Sequence, residues 1–240
     1  MAGGGGKYMQ MFAGHTGPVT AGRFTNDGKA LITVSEDASL KVWNPKTGAA
    51  VHTINAHPFH QSAITSLALH GARPLCATGG IDNTVCVSHY GTGRALLGLR
   101  GHTDSVECVA WAMAKPDAAV PPFAQMWLAS GSVDGDAKLW DCEAGTCVRT
   151  YKGHTGTVVR VAFTMHGGTD AAALQLVTAS ADRTVRIWDA RQEGSVRVLH
   201  GHRAAILDAT LTRSGLAAVT VGDDRTGMSF LLDDDTAPQK

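Results

Sequence analysis

Gly153-His154 opens a stretch that runs through Val158-Val159-Arg160-Val161-Ala162-Phe163 and Leu176-Val177-Thr178-Ala179-Ser180. It ends on Asp182-Arg183-Thr184-Val185-Arg186-Ile187-Trp188-Asp189. Three short runs rich in β-branched residues are separated by turn residues, and an Asp stands six residues before a Trp. Working outward, the opening pair recurs as Gly14-His15, Ala56-His57, Gly101-His102 and Gly201-His202. From His15 to His57, His102, His154 and His202 the intervals are 42, 45, 52 and 48 residues. A fixed period of this size means one supersecondary unit repeated. The long third interval holds Ala114 to Pro122, a Pro- and Ala-rich segment expected to be a loop insertion.

The Asp and its aromatic partner form a second register. Asp37 precedes Trp43, Asp82 precedes Ser88, Asp134 precedes Trp140, Asp182 precedes Trp188 and Asp224 precedes Phe230. Runs such as Ser39-Leu40-Lys41-Val42 lie between, with the period-2 alternation of a half-buried strand. A further strand leads to each following His, as in Ala50–Ile54 and Cys147–Tyr151. Each unit is therefore about four antiparallel strands, and five such units predict an all-β propeller of five blades over residues 7–232. Residues 1–6 read as a flexible Gly-rich leader and 233–240 as an acidic, polar tail. Lys7–Phe12 reads as a lone outer strand, and the last unit has three strands. Joining the two would close a five-blade ring.

Lys plus Arg and Asp plus Glu balance at 21 each, so no global field attracts nucleic acid or an anionic membrane. No apolar run is long enough to span a bilayer, and a cytoplasmic protein, also nuclear, is expected. Five scattered cysteines read as small buried hydrophobes. Cys142 and Cys147 match no zinc spacing, and neither a metal nor a cofactor is expected. Gly3 to Lys7 lacks the Ser or Thr of a phosphate loop, and there is no G-x-S-x-G elbow. Histidines recurring at this period are structural, so no enzyme is expected.

On its repeated GH, Ser/Thr-x-Asp and WD signatures the chain resembles the WD40 family. The resemblance implies a hydrogen-bonded tetrad in each well-formed blade. By its pattern the sets are His15, Ser35, Asp37, Trp43; His102, Ser132, Asp134, Trp140; and His154, Ser180, Asp182, Trp188. Gly80 and Ser88 replace hydroxyl and indole in the second unit, as do Gly222 and Phe230 in the last. These two blades are expected to be the least stable.

The order of intact and degraded repeats is similar to that of the angio-associated migratory cell protein group and its fungal ribosome-assembly chaperone counterpart. Thr20-Ala21-Gly22-Arg23-Phe24, Val87-Ser88, Ser105-Val106-Glu107, Trp188-Asp189-Ala190-Arg191 and Gly222-Asp223-Asp224 carry the similarity. It implies that these blades are part of a larger seven- or eight-bladed propeller, with the closed five-blade ring as the alternative. The family pattern puts two sets of side chains at the channel rim. One is Glu36, Ile81, Val133, Ala181 and Asp223; the other is Thr20, Thr65, Glu107, Val159 and Leu207. Carboxylates alternating with apolar residues suit a basic segment with an apolar anchor, and the resemblance implies a ribosomal-protein client. The alternative is a general signalling or trafficking scaffold that binds peptides at the same rim.

Overall fold

The structure, a computed structural model, describes residues 10–56, 58–112, 126–165, 174–190, 192 and 194–232. The expected leader, the tail, the 114–122 insertion and His57 lie outside them. Every regular element among the described residues is a strand. Blade one comprises β1 (Val19–Phe24), β2 (Leu31–Ser35), β3 (Leu40–Trp43) and β4 (Ala50–Ile54). Blade two comprises β5 (Ile64–Leu69), β6 (Leu75–Gly80), β7 (Thr84–His89) and β8 (Arg94–Arg100). Blade three comprises β9 (Val106–Trp111), β10 (Trp127–Ser132), β11 (Ala137–Asp141) and β12 (Thr146–Tyr151). Blade four comprises β13 (Val158–Met165), β14 (Leu174–Ser180), β15 (Thr184–Asp189) and β16 (Ser195–His200). Blade five has three strands, β17 (Ile206–Leu211), β18 (Ala217–Gly222) and β19 (Gly227–Leu231).

Each sheet is an antiparallel meander in chain order. The second strands of blades two to four are buried almost throughout, which is why they read as unbroken runs of small and apolar residues. The outer strands β4 and β8 are mostly exposed, and along β8 every second side chain is drawn inward. No blade has a core of its own. Ile32, Val34 and Leu40 of blade one pack with Ile64 and Leu67 of blade two. Ala129 and Leu139 of blade three likewise meet Val158, Leu176 and Trp188 of blade four. Each such buried aliphatic side chain contributes about 1.5–3 kcal/mol, so a blade is stable only against a neighbour.

The packing is linear, running from β1 through β5, β9 and β13 to β17. β1 and blade five are largely exposed at the two ends. Gln10–Phe12, expected within an outer strand, belong to no sheet; Phe12 instead packs edge-on against Trp43 of its own unit. The described residues thus form an arc of five blades, and the closed five-blade ring is not what they adopt.

The turn between second and third strands repeats in every blade. Its Asp is followed by a residue with positive φ: Ala38 at 62°, Asn83 at 62°, Gly135 at 81°, Arg183 at 74° and Arg225 at 63°. A side chain with a Cβ pays about 1–2 kcal/mol there, and glycine does not. Ala38→Gly is expected to raise stability by about 0.5–1 kcal/mol once the glycine's extra unfolded-state entropy is subtracted. Equilibrium denaturation of the two proteins, with an unchanged m-value, measures this.

Candidate functional site

In blade four the Asp182 carboxylate accepts from His154 Nδ1 at 2.8 Å, and Thr178 Oγ1 lies 2.6 Å from His154 Nε2. Trp188 Nε1 donates to the same Thr178 oxygen at 2.9 Å. An indole N–H can only donate, so the hydroxyl accepts from it and gives its own proton to the imidazole. In the neutral ring this arrangement places the proton on Nδ1, facing Asp182. The same chain links Trp43, Thr33, His15 and Asp37 in blade one, and Trp140, Ser130, His102 and Asp134 in blade three.

The hydroxyl therefore comes from Thr33, Ser130 and Thr178, each two residues earlier than the expected Ser35, Ser132 and Ser180. Side chains alternate across a strand, so both positions share a face, but only the earlier one is the diagonal neighbour of the Trp: Thr178 pairs with Arg186, and Leu176 lies opposite Trp188. The later serines serve the turn instead. Ser180 Oγ donates to the Gly156 carbonyl at 3.0 Å and accepts from Asp182 N at 3.1 Å, and Ser35 and Ser132 do the same in their blades.

Blades two and five keep a hydroxyl. His60 bridges Asp82 and Thr78 at 2.9 Å each, and His202 bridges Asp224 at 2.9 Å and Thr220 at 2.7 Å. Gly80 and Gly222 occupy the turn-serine position and replace no tetrad hydroxyl. What these blades lack is the indole. The blade-two histidine is His60, which follows Phe59, and not the His57 of the expected Ala56-His57 pair. His60 stands 22 residues before its Asp, as His15 and His202 do. In blades one and three the Gly before the His is needed because a Cβ would come 3.2 Å from the Trp ring. In blade two the bulk changes sides: Ser88 replaces the Trp, and buried Phe59 sets its ring 5.0 Å from His60. Ser88 Oγ is buried with no hydrogen-bond partner among the described residues.

Burial lowers the pKa of His102 and His154, with the Asp134 and Asp182 carboxylates opposing it. For Asp182, desolvation acts upward but is outweighed by the Thr184 hydroxyl and His154, leaving its pKa at about 2. Burial pushes the thiols of Cys76, Cys86, Cys108 and Cys142 up to about 12, as small buried hydrophobes require. Cys147 is exposed.

The rim positions share one end of every sheet. Thr20, Thr65, Glu107, Val159 and Leu207 are each skipped in the pairing of first and second strands, so all five are β-bulges. A bulge re-aims its side chain out of the ladder. Their uses differ. Thr20 Oγ1 donates to Ile64 O of blade two at 2.6 Å, and Thr65 Oγ1 donates to Val106 O of blade three. Both hydroxyls tie neighbouring blades together. Val159 packs into the core shared by blades four and five. Glu107 Oε1 accepts from the Ser105 hydroxyl at 2.7 Å, and Leu207 is exposed.

The second set is held by its backbone. Glu36 N donates to Pro18 O, Ile81 N to Ala63 O, Val133 N to Ser105 O, Ala181 N to Thr157 O and Asp223 N to Ala205 O, all at 2.9–3.0 Å. With the main chain fixed, the side chains of Glu36, Ile81, Val133 and Asp223 are exposed. Two features escaped the sequence reading. Arg160 Nε donates to Asp208 Oδ1 at 2.8 Å across blades four and five, both residues standing one place after a bulge. Exposed Arg183 and Arg225 follow the turn Asp in those same blades, where blades one to three have Ala38, Asn83 and Gly135. Reading the repeats in columns exposes both. The rim is acidic and apolar over blades one to three, and mixed in sign beyond.

No helix among the described residues is long and apolar enough to cross a membrane.

Two predictions follow the tetrad geometry. Thr178→Val strands buried nitrogens of His154 and Trp188 and is expected to cost about 2–4 kcal/mol, read as a lower denaturation midpoint at constant slope. On acidification, a histidine whose folded pKa lies below its ordinary 6.5 contributes stability in full above that value and loses it as pH falls. The Asp182 contribution is full above 3.8 and is lost toward about 2. Melting temperature is therefore expected to be level above about pH 6.5, to decline below it, and to drop again below about pH 4.

A family model described as "WD domain, G-beta repeat" matches residues 6–44, 48–87, 93–141 and 145–189. The chain is 27% identical over 165 residues to pre-mRNA-processing factor 19 homolog 2 of Arabidopsis thaliana, covering 68% of this chain and 29% of that protein. It is 27% identical over 199 residues to the human angio-associated migratory cell protein, covering 64% and 46%. A solved structure titled "Structure of U3-55K" superimposes with a TM-score of 0.76 at 23% identity, over 92% of this chain and 63% of that one. The chain thus spans less than half the length of these two relatives.

Proposed function

Because the chain belongs to the WD40 family, a family of protein-interaction modules, we propose that it is a non-catalytic binding module for a basic segment with an apolar anchor. The observation that carries this is the rim of blades one to three. There exposed Glu36 and half-buried Glu107 alternate with exposed Ile81 and Val133, on main chain pinned by hydrogen bonds. Fixed carboxylates steer and orient a cationic chain, and buried apolar contact holds it. The Thr20 and Thr65 hydroxyls keep this platform rigid and leave recognition to their neighbours. Arg183 and Arg225 make blades four and five the less suitable part for such a ligand.

At a finer level we propose a Lys- and Arg-rich ribosomal-protein segment as the client, chaperoned during large-subunit assembly and met in the cytoplasm or nucleus. Its support is the order of intact and degraded repeats and the likeness to the angio-associated migratory cell protein. The likeness to a pre-mRNA-processing factor favours a second reading, a scaffold in another assembly that uses the same rim.

Fluorescence anisotropy with a labelled basic peptide bearing one large apolar residue tests the rim. Glu107→Lys is expected to weaken binding about two- to fivefold, and the Glu36→Lys/Glu107→Lys pair by more, with affinity falling as salt rises. Equal affinity for an acidic peptide of the same apolar content overturns the reading. Capture from a lysate that recovers splicing proteins and no ribosomal protein favours the second client class.

A further inference from the structure

We infer that the seam between blades one and two, at the end of the sheets away from the rim, binds an acidic peptide segment through one large apolar side chain. The seam lies within the arc, between two blades that share a core. It opens there into a groove of about 480 Å³, inside the ~300–1,000 Å³ range of ligand sites. One wall is the β1–β2 loop of blade one, with Val42, Asn44 and Val51 beside it. The other is the β5–β6 loop of blade two, with Leu69 and Tyr90.

Two departures from the repeat open and line this groove. Leu69 stands where blades three and four, at the same register, put Trp111 and Phe163. Trp111 is buried against blade two, and its Nε1 donates to Ala68 O across that seam at 3.3 Å. A leucine is too short to close the seam in this way. Just past the third strand, blade two carries Tyr90 where blades three and four carry Cys142 and Ala190. The ring extends the apolar wall and brings a hydroxyl to it. Both loops are fixed in place. Asn26 Nδ2 donates to Gly71 O at 3.0 Å across the seam, and Ala72 N and Arg73 N donate to His70 Nδ1 at 3.1 and 3.0 Å.

The balance of hydrogen-bonding groups selects the occupant. Asp27 Oδ1 accepts from Thr25 Oγ1 at 2.7 Å and Lys29 N at 3.0 Å, and Lys29 Nζ stands 3.4 Å from Oδ2. Asn44 Oδ1 accepts from Lys46 N at 2.9 Å, and His70 Nδ1 is taken by its own loop. The His52 ring brings one donor and one acceptor and does not alter the balance. Among the described residues, Tyr90 Oη and Asn44 Nδ2 have no hydrogen-bond partner, and the exposed Arg73 guanidinium has no carboxylate. Burial raises the pKa of the Tyr90 phenol, with Cys76 and Asp27 acting the same way, so it donates at neutral pH. Spare donors around an aliphatic surface call for a carboxylate beside a large apolar side chain. The walls continue onto exposed Val51, Ala72 and Pro74, which gives a peptide room to run on either side of its anchor. This preference is opposite in sign to that of the rim over blades one to three, so the two ends of the sheets sort ligands by charge.

Titration of the isotope-labelled 240-residue chain with a short peptide of acidic residues around one Phe, followed by amide NMR shifts, tests this. Shifts are expected at residues 26–30, 70–73 and 90 and not at the rim around Glu107 and Val133, with an affinity below that of the basic peptide for the rim. Arg73→Glu, at an exposed site, is expected to weaken binding about two- to fivefold. Tyr90→Phe, which removes the donor and keeps the ring, is expected to weaken it about two- to tenfold. Glu107→Lys is expected to leave the shifts unchanged, which keeps this site distinct from the rim. Absence of shifts in these loops, shifts at the rim in their place, or equal shifts from a basic peptide overturns the inference. So does parental affinity in both groove variants. A free aromatic carboxylic acid that binds as tightly as the peptide overturns the peptide as occupant.

Discussion

A buried imidazole cannot be left with an unpaired nitrogen, and in this molecule that requirement fixes where the chain may turn. Each histidine sits just before a first strand, while its carboxylate sits after the second strand and its hydroxyl within it. Satisfying both ring nitrogens therefore staples the entry of a blade to its middle, across 22 to 32 residues of sequence. The Asp also accepts the backbone N–H after the His, as Thr155 N donates to Asp182 at 3.1 Å. The added residues of the third interval, 113–125, fall between β9 and β10 and so within the stapled span, which lengthens to 32 residues there while the His–Asp contact is kept. Once the turn is fixed, the bulge and the rim residue beside it follow, because both are counted from the same two anchors.

Much of this was legible in the sequence because turn chemistry and alternation are local. The outer strands β4, β8, β12 and β16, the turn Asp and the Trp lie where their spacing put them. Two features were not legible, for distinct reasons. Choosing Ser180 over Thr178 as the imidazole partner depends on which of two same-face hydroxyls lies diagonal to the Trp, a matter of pairing register. Choosing His57 over His60 followed the small residue before the histidine. That residue is a consequence of the Trp and is not itself a fixed requirement. The arrangement of blades as an open arc belongs to a third kind of fact. It depends on which faces meet, and every blade carries the same two faces.

The rim shows how one structural position serves two ends. At Thr20 and Thr65 the bulge side chain is short and hydroxylic, and it reaches sideways to a neighbouring carbonyl. At Glu107 the same position holds a carboxylate steadied by Ser105. A brace to the next blade and a half-buried carboxylate are thus allotted blade by blade from a single geometric slot. The Arg160–Asp208 pair extends the bracing to the last junction by charge, where the bulge residue is apolar and cannot donate.

The exchange in blade two has a consequence for how this sequence can change. Gly with Trp fills the space beside a histidine from the third strand; Phe59 with Ser88 fills it from the loop before the first strand. A single substitution from either arrangement meets two rings in one volume or none. The first crowds a packed core and the second empties it, each at a cost of a few kcal/mol. Blade two therefore passes between the two arrangements without loss of packing only by paired replacement. A residue restored there to match its sister blades would damage the fold that the same residue supports elsewhere.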